Sequence, residues 1–292
     1  MSPTILQIAL LAFVQGAAEL LPVSSSAHVI VAEKLMGLDP SSPEMTFLLA
    51  MLHTGTMGAV VLYFWKSWRR SFFASSARFR EAAFRVALAT AMTAVVAYPL
   101  KVVIETVFLR GQPHAEVEQI FSNLPLMAAS LAVAGTLIVL AGLRSRAPES
   151  APAGPGELIA EPRALWMGVV QGVCIPFRGL SRSGATISAG ILMGVPRRAA
   201  EEFSFALAVV ITPAVIFQES IRFMRTWTAA PAGLRVGSLA MPGLIGMACS
   251  FVAGLVALRW LSGWLEKGRW VYFGFYCFAA AAGVGALACM GY

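Results

Sequence analysis

The stretch Gln15-Gly-Ala-Ala-Glu-Leu-Leu-Pro-Val-Ser-Ser-Ser-Ala-His28 decides how the rest of the chain is read. It sets a carboxylate (Glu19), a proline (Pro22), the serines Ser24, Ser25 and Ser26 and an imidazole (His28) inside a chain that is otherwise mostly apolar. Ionisable groups are costly at membrane depth and mark functional sites there. The membrane itself follows from composition: 58% of residues are hydrophobic and 13% charged, where soluble domains run near a quarter charged. Leu6–Phe13 is as short as the apolar core of a signal peptide, but no basic segment precedes it, so it is read as part of the mature protein.

The formal net charge of +7 is no argument for nucleic acid, because the basic residues gather between apolar stretches, as topology determinants do. Cys174, Cys249, Cys277 and Cys289 all lie in apolar segments without metal-ligand spacing and read as small buried residues.

Crossing the hydrocarbon takes about 20 apolar residues. Phe47–Trp65, Phe84–Phe108, Leu124–Leu143, Phe203–Ile221, Leu239–Leu261 and Trp270–Met290 qualify as six transmembrane helices. Basic loops at Lys66–Arg85, at Arg144, Arg146 and Arg163, at Arg197 and Arg198, and at Lys267 and Arg269 place those ends in the cytoplasm and both termini outside. Arg110 sits with Glu116 and Glu118 in the loop after the second span; Arg222, Arg225 and Arg235 run against this orientation.

Two further apolar regions are broken rather than continuous. Ile5–Leu21 stops at Pro22 and is followed by Val29–Leu38; Leu165–Ile175 stops around Pro176–Gly184 and is followed by Ala185–Val195. Non-helical backbone at membrane depth survives only inside protein or a watery cavity, so each reads as a re-entrant helical hairpin. The expected fold is therefore an all-α polytopic membrane protein built as an inverted-topology repeat. Residues 1–143 form the first repeat (hairpin 5–38 plus three spans), 144–163 a Pro/Gly-rich linker, and 164–292 the second repeat (hairpin 165–195 plus three spans). Short echoes support the repeat: Phe13-Val-Gln-Gly16 against Val169-Val-Gln-Gly172, and Glu44-Met-Thr-Phe-Leu-Leu49 against Glu202-Phe-Ser-Phe-Ala-Leu207.

Each break carries chemistry. Gln15 and Glu19 are one helical turn apart and share a face. Ser24, Ser25 or Ser26 stands where an N-cap belongs, opening the half-helix that carries His28, and a helix start is an anion seat. A hydroxyl beside a carboxylate and an imidazole is a nucleophile with a base nearby. The second break, Phe177-Arg-Gly-Leu-Ser-Arg-Ser-Gly-Ala-Thr186, adds tight backbone at Gly179 and Gly184, hydroxyls at Ser181 and Ser183, and the cations Arg178 and Arg182. Arginine's planar fork suits phosphate. Together these groups suit a lipid-phosphate hydrolase or a carrier of such an anion.

These residues resemble the undecaprenyl-pyrophosphate phosphatase family, also called bacitracin-resistance proteins. Gln15 with Glu19 matches its Glu-or-Gln, three residues, Glu motif. Pro22, Val23, Ser24, Ser25 and His28 match its second segment; Gly179, Ser181, Arg182, Ser183, Gly184 and Thr186 match its third. His53-Thr-Gly-Thr56 and Phe203-Ser-Phe205 also look like family positions. The resemblance implies removal of the terminal phosphate of undecaprenyl diphosphate, which recycles the lipid carrier for cell-wall synthesis and gives bacitracin resistance. It places a multi-pass protein in the bacterial cytoplasmic membrane, with the site facing the periplasm.

By the same resemblance Ser25 is the nucleophile and Glu19 its base or metal-linked partner, with Mg²⁺ or Ca²⁺ assisting. His28 helps proton transfer and Arg182 holds the diphosphate. Ser181 and Thr186 donate hydrogen bonds and Gln15 orients the site; from the residues themselves, Ser24, Ser26, Arg178, Gly179 and Ser183 are expected to complete substrate binding. Two positions depart from the pattern: Gln15 removes one carboxylate of the pair, and Arg178 stands where the family usually has proline. The expected partners are the polyprenyl diphosphate, membrane lipids and a second copy of the chain in a homodimer, without nucleic acid. The rival reading is a transporter or flippase of the same anionic lipid, since inverted repeats are common in transporters.

Overall fold

The computed structural model describes residues 3–39, 42–108, 120, 123–144, 158–228 and 236–291. Most of the expected linker (145–157), and the loop residues Arg110, Glu116, Glu118 and Arg235, lie outside these residues.

Among the described residues all regular structure is helical: α1 (Ile5–Leu20), α2 (Ser25–Leu35), α3 (Pro43–Ser71), α4 (Ser76–Val103), α5 (Leu124–Arg144), α6 (Glu161–Cys174), α7 (Arg182–Leu192), α8 (Arg197–Thr228), α9 (Val236–Glu266) and α10 (Val271–Cys289). Two short helices followed by three long ones occur twice in succession. By length and composition the stretches Glu44–Ser71, Ser76–Val107, Leu124–Arg144, Ala240–Glu266 and Val271–Cys289 can cross a membrane, and the chain is a multi-pass membrane protein. The remaining expected span, Phe203–Ile221, lies wholly within α8.

Local sequence explains the helix ends. Thr4 and Gln7 form a reciprocal capping box at the start of α1. Pro22, just past its end, removes the N–H that would have continued the helix. Ser75 caps α4 through Arg78 N–H, and Pro162 opens α6. Within α4, Pro99 precedes a π-helical turn at Ile104–Phe108, a wider winding of the kind a displaced ladder permits.

One expectation needs correction. The second half of the second hairpin, expected from Ala185, starts at Arg182 as α7. Ser181 adopts the left-handed conformation (φ 47°), and its hydroxyl accepts the Gly184 N–H at 3.2 Å, starting the helix three residues early. Arg182 and Ser183 therefore belong to a helical first turn rather than to a loop.

The chain forms two compact units, each drawing on both halves of the sequence. The first comprises Met1–Leu21, Ser25–Tyr63 and Ala208–Leu261. Its core packs Ile8, Leu11 and Ala12 of α1 against Val29 of α2, Leu38, and Met45, Leu48 and Leu52 of α3. The backbones of α3 and α9 touch: a Cβ on Gly55 would collide with the Met247 carbonyl, and Ser250 Oγ donates to Leu52 O at 2.7 Å. Close approach through small residues is how helices associate where lipid supplies no hydrophobic drive. Gly16 seats α1 in the same way, its Cβ position lying 2.7 Å from Ser250 O.

The second unit comprises Pro22–Ser24, Phe64–Leu207 and Ser262–Tyr292. A Cβ on Gly168 would collide with Ala89 O, and Thr93 Oγ1 lies between Ala89 O (2.9 Å) and Gly168 O (3.0 Å), welding α4 to α6. Ala134, Cys174, Leu180 and Ala185 form an apolar cluster beneath the second break. The buried Trp270 donates its indole N–H to Ser188 Oγ at 3.0 Å, tying α10 to α7.

Candidate active site

In the first unit, the i, i+4 spacing on α1 sets Gln15 above Glu19, and the Gln15 Nε2 donates to Glu19 Oε2 at 3.2 Å. Gln15 is 1% exposed, so its amide serves the carboxylate rather than solvent. The chain then turns through Pro22–Ser24. Ser24 is buried and left-handed (φ 68°), a conformation that side chains other than glycine adopt at a cost of order 1 kcal/mol and that concentrates at functional sites. This turn starts α2 at Ser25, whose Oγ donates to Glu19 Oε2 at 2.5 Å. A short bond to an ionised acceptor is of the strong, charge-assisted kind. Ser26 and His28 follow on the first turn of α2, both half-buried.

A third group reaches Glu19 from α3. His53 Nε2 lies 3.7 Å from Glu19 Oε2, and its Nδ1 is 2.9 Å from Leu49 O. Sequence reasoning noted His53 only as a family position and missed this contact. The available signal was a histidine inside an otherwise apolar span.

In the second unit, the turn into α7 repeats the pattern of the first break. Ser181, like Ser24, is a left-handed residue immediately before a short helix. Arg182 is the first residue of α7 and is half-buried, with Ser183 buried beside it. The fully buried Thr186 has its hydroxyl 2.8 Å from Arg182 O, to which it donates, and 2.6 Å from Ser204 Oγ. These contacts make Thr186 a support for the backbone at Arg182. Gly179 has φ 102°, and a Cβ there would sit 2.6 Å from Met127 O, so only glycine suits the turn. Arg178, half-buried, directly precedes it.

The first break also enters this unit through Pro22–Ser24. A Cβ on Gly184 would lie 3.2 Å from Pro22 Cβ, and Cys277 Sγ–H donates to Pro22 O at 3.4 Å. The structure thus gathers Gln15, Glu19, Ser25 and His53 in one unit, and Ser181, Arg182, Ser183 and Thr186, with Pro22–Ser24 alongside, in the other. Among the described residues no group of three or more His, Cys, Asp or Glu side chains gathers as metal donors.

A serine–carboxylate pair at one helix start and an arginine at another, in a helical multi-pass membrane protein, are groups of the class suited to an oxyanion. Residues 8–283 match the family model described as Bacitracin resistance protein BacA, and the chain belongs to that family. It is 53% identical over 277 residues to Undecaprenyl-diphosphatase 2 of Acinetobacter baylyi, covering 94% of this chain and 95% of that protein. It is also 30% identical to an undecaprenyl-diphosphatase of Desulfosudis oleivorans (94% of each chain) and 28% identical to one of Rhodopirellula baltica (94% and 95%). The resemblance drawn from the motifs is borne out.

Proposed function

We propose that this protein is an undecaprenyl-diphosphate phosphatase, releasing inorganic phosphate and the monophosphate lipid carrier, and that its activity underlies bacitracin resistance. The observation that carries the mechanism is the 2.5 Å hydrogen bond from Ser25 Oγ to Glu19 Oε2 at the start of α2. Glu19 takes the Ser25 proton as the oxygen attacks the terminal phosphorus. The bond from that phosphorus to the bridging oxygen breaks, and undecaprenyl phosphate leaves. Water then cleaves the phosphoserine, freeing inorganic phosphate and restoring the hydroxyl. His28, one turn along α2 from Ser25, serves the proton transfers.

Arg182 and the backbone N–H groups at the start of α7 neutralise the charge that spreads over the phosphoryl oxygens. Ser181 and Thr186 hold that helix start in shape through Gly184 N–H and Arg182 O. Gln15 keeps the Glu19 carboxylate turned toward Ser25. In this reading each half of an inverted repeat contributes part of the machinery, and the site opens to the outer face of the cytoplasmic membrane. A divalent cation, Mg²⁺ or Ca²⁺, would find its protein donor in the Glu19 carboxylate. When bound, such an ion neutralises diphosphate charge.

The test is phosphate release from undecaprenyl diphosphate by the purified protein in detergent. Release well above a heat-inactivated control is expected. No release, with passage of the lipid phosphate across liposome bilayers instead, would establish a transporter and refute the phosphatase.

A further inference from the structure

We propose that Ser204 of α8 is a positioning residue for the reaction, holding Arg182 in place through the hydroxyl of Thr186. The inference rests on the phosphatase reading of Arg182 and extends it to a residue that lies outside both breaks.

The direction of the hydrogen bonds carries the argument. A hydroxyl has one proton to give. Thr186 Oγ1 lies 2.8 Å from Arg182 O and 3.4 Å from Ser183 O, carbonyl oxygens that only accept, so its proton goes to them. The 2.6 Å contact between Thr186 and Ser204 is then made with the Ser204 proton. The result is a directed chain that starts at Ser204 Oγ, passes through Thr186 Oγ1 and ends on the backbone of Arg182. In such a chain each bond polarises and strengthens the next.

Packing sets the height of Ser204. A Cβ on Gly190 would lie 2.9 Å from Ala200 Cβ, so α7 and α8 approach closely there. Four residues back along α7 and four forward along α8 bring Thr186 opposite Ser204, the register of an antiparallel helix pair. Both hydroxyl residues are fully buried, and so are Phe203 and Phe205 beside Ser204. Phe205 stacks on Phe64 with ring centroids 5.4 Å apart. A hydroxyl in these surroundings is costly unless paired. Alanine would pack there nearly as well and would lack only the proton that Thr186 accepts. Further along α7, the Trp270 indole holds Ser188 at 3.0 Å. That part of the helix has its own tie, so loss of the Ser204 bond falls on the first turn, where Arg182 sits.

The test is a double-mutant cycle on phosphate release by the full chain in detergent, pairing Ser204→Ala with Arg182→Lys. Ser204→Ala alone should lower kcat/KM by about 5- to 10-fold, the worth of one buried hydrogen bond. In the Arg182→Lys background the same change should cost less than about twofold, because the two residues act as a unit. Thr186→Val, nearly the same size, breaks the same chain and is measured alongside in case Ser204→Ala fails to fold. Thr186→Ser, which keeps the hydroxyl, should recover most of what Thr186→Val loses. An equal loss in the wild-type and Arg182→Lys backgrounds, or no recovery by Thr186→Ser, overturns the proposal and leaves Ser204 as packing between α7 and α8. Phosphate release by the wild type in the same preparation separates the two failures. Release with an additive cycle removes this inference alone; absence of release removes the proposed function.

Discussion

Replacing Ser25 by alanine separates two roles that the geometry combines. If Ser25 only positions Glu19, the variant loses a hydrogen bond to an ionised acceptor, worth about 1.5–3 kcal/mol. At about 1.4 kcal/mol per factor of ten, that is a loss of roughly 10- to 150-fold in kcat/KM. If Ser25 Oγ forms the bond to phosphorus, its removal abolishes the covalent route, and losses for nucleophiles acting as part of a unit run to about 10⁴-fold or more.

The two expectations differ by about two orders of magnitude, wide enough for an initial-rate assay of phosphate release to decide. The expected result is the larger loss. Rapid acid quenching of wild type with terminally labelled substrate should trap label on the protein, and Ser25→Ala should trap none. Unfolding in detergent should barely change, because Ser25 is half-buried and its removal opens little space. A loss below about 100-fold, the scale of a lost charged hydrogen bond, with no trapped label would refute the nucleophile assignment and leave Ser25 as a positioning group.

Two further outcomes are expected. Arg182→Lys keeps the charge but loses the planar fork, so kcat/KM should fall by about 10- to 100-fold, the worth of one charge-assisted bond; steady-state assays with full activity retained would remove Arg182 from the proposed phosphate site. Gly55→Ala drives a methyl into the Met247 carbonyl, a backbone atom that cannot swing aside. Destabilisation of about 1–3 kcal/mol is expected in detergent unfolding, whereas Gly263→Ala, with nothing within 4 Å of its Cβ position, should be neutral or stabilising by up to about 1 kcal/mol.

What was legible in the sequence followed from local rules. Proline and glycine mark the breaks whatever surrounds them, and the i, i+4 spacing puts Gln15 beside Glu19 in any helix. The long spans are legible because hydrocarbon thickness dictates their length. The start of α7 was misplaced because Ser181 takes a left-handed conformation that side chains rarely adopt, and no sequence rule assigns it to serine over the neighbouring glycine. His53 was illegible for a different reason. A lone histidine on an apolar helix ordinarily satisfies a carbonyl, which it does at Leu49. Its second contact depends on how α3 is rotated against α1, a packing outcome that no stretch of either helix contains.

The arrangement of the first break bears on why two halves are needed. Ser25 and Glu19 belong to one compact unit, yet Pro22–Ser24, the residues leading directly into Ser25, pack with the other. Pro22 is held there by Gly184 on the first turn of α7 and by the thiol of Cys277 on α10. Gly184 has room for no side chain: its Cβ position lies 2.8 Å from Ser181 Oγ and 3.0 Å from Ile138 Cδ1 as well as against Pro22. A bulkier residue there would push on the left-handed cap of α7 and on Pro22 at once. The turn that leads into α2 and the start of α7 therefore meet inside the second unit, at a contact with no room for a side chain on Gly184.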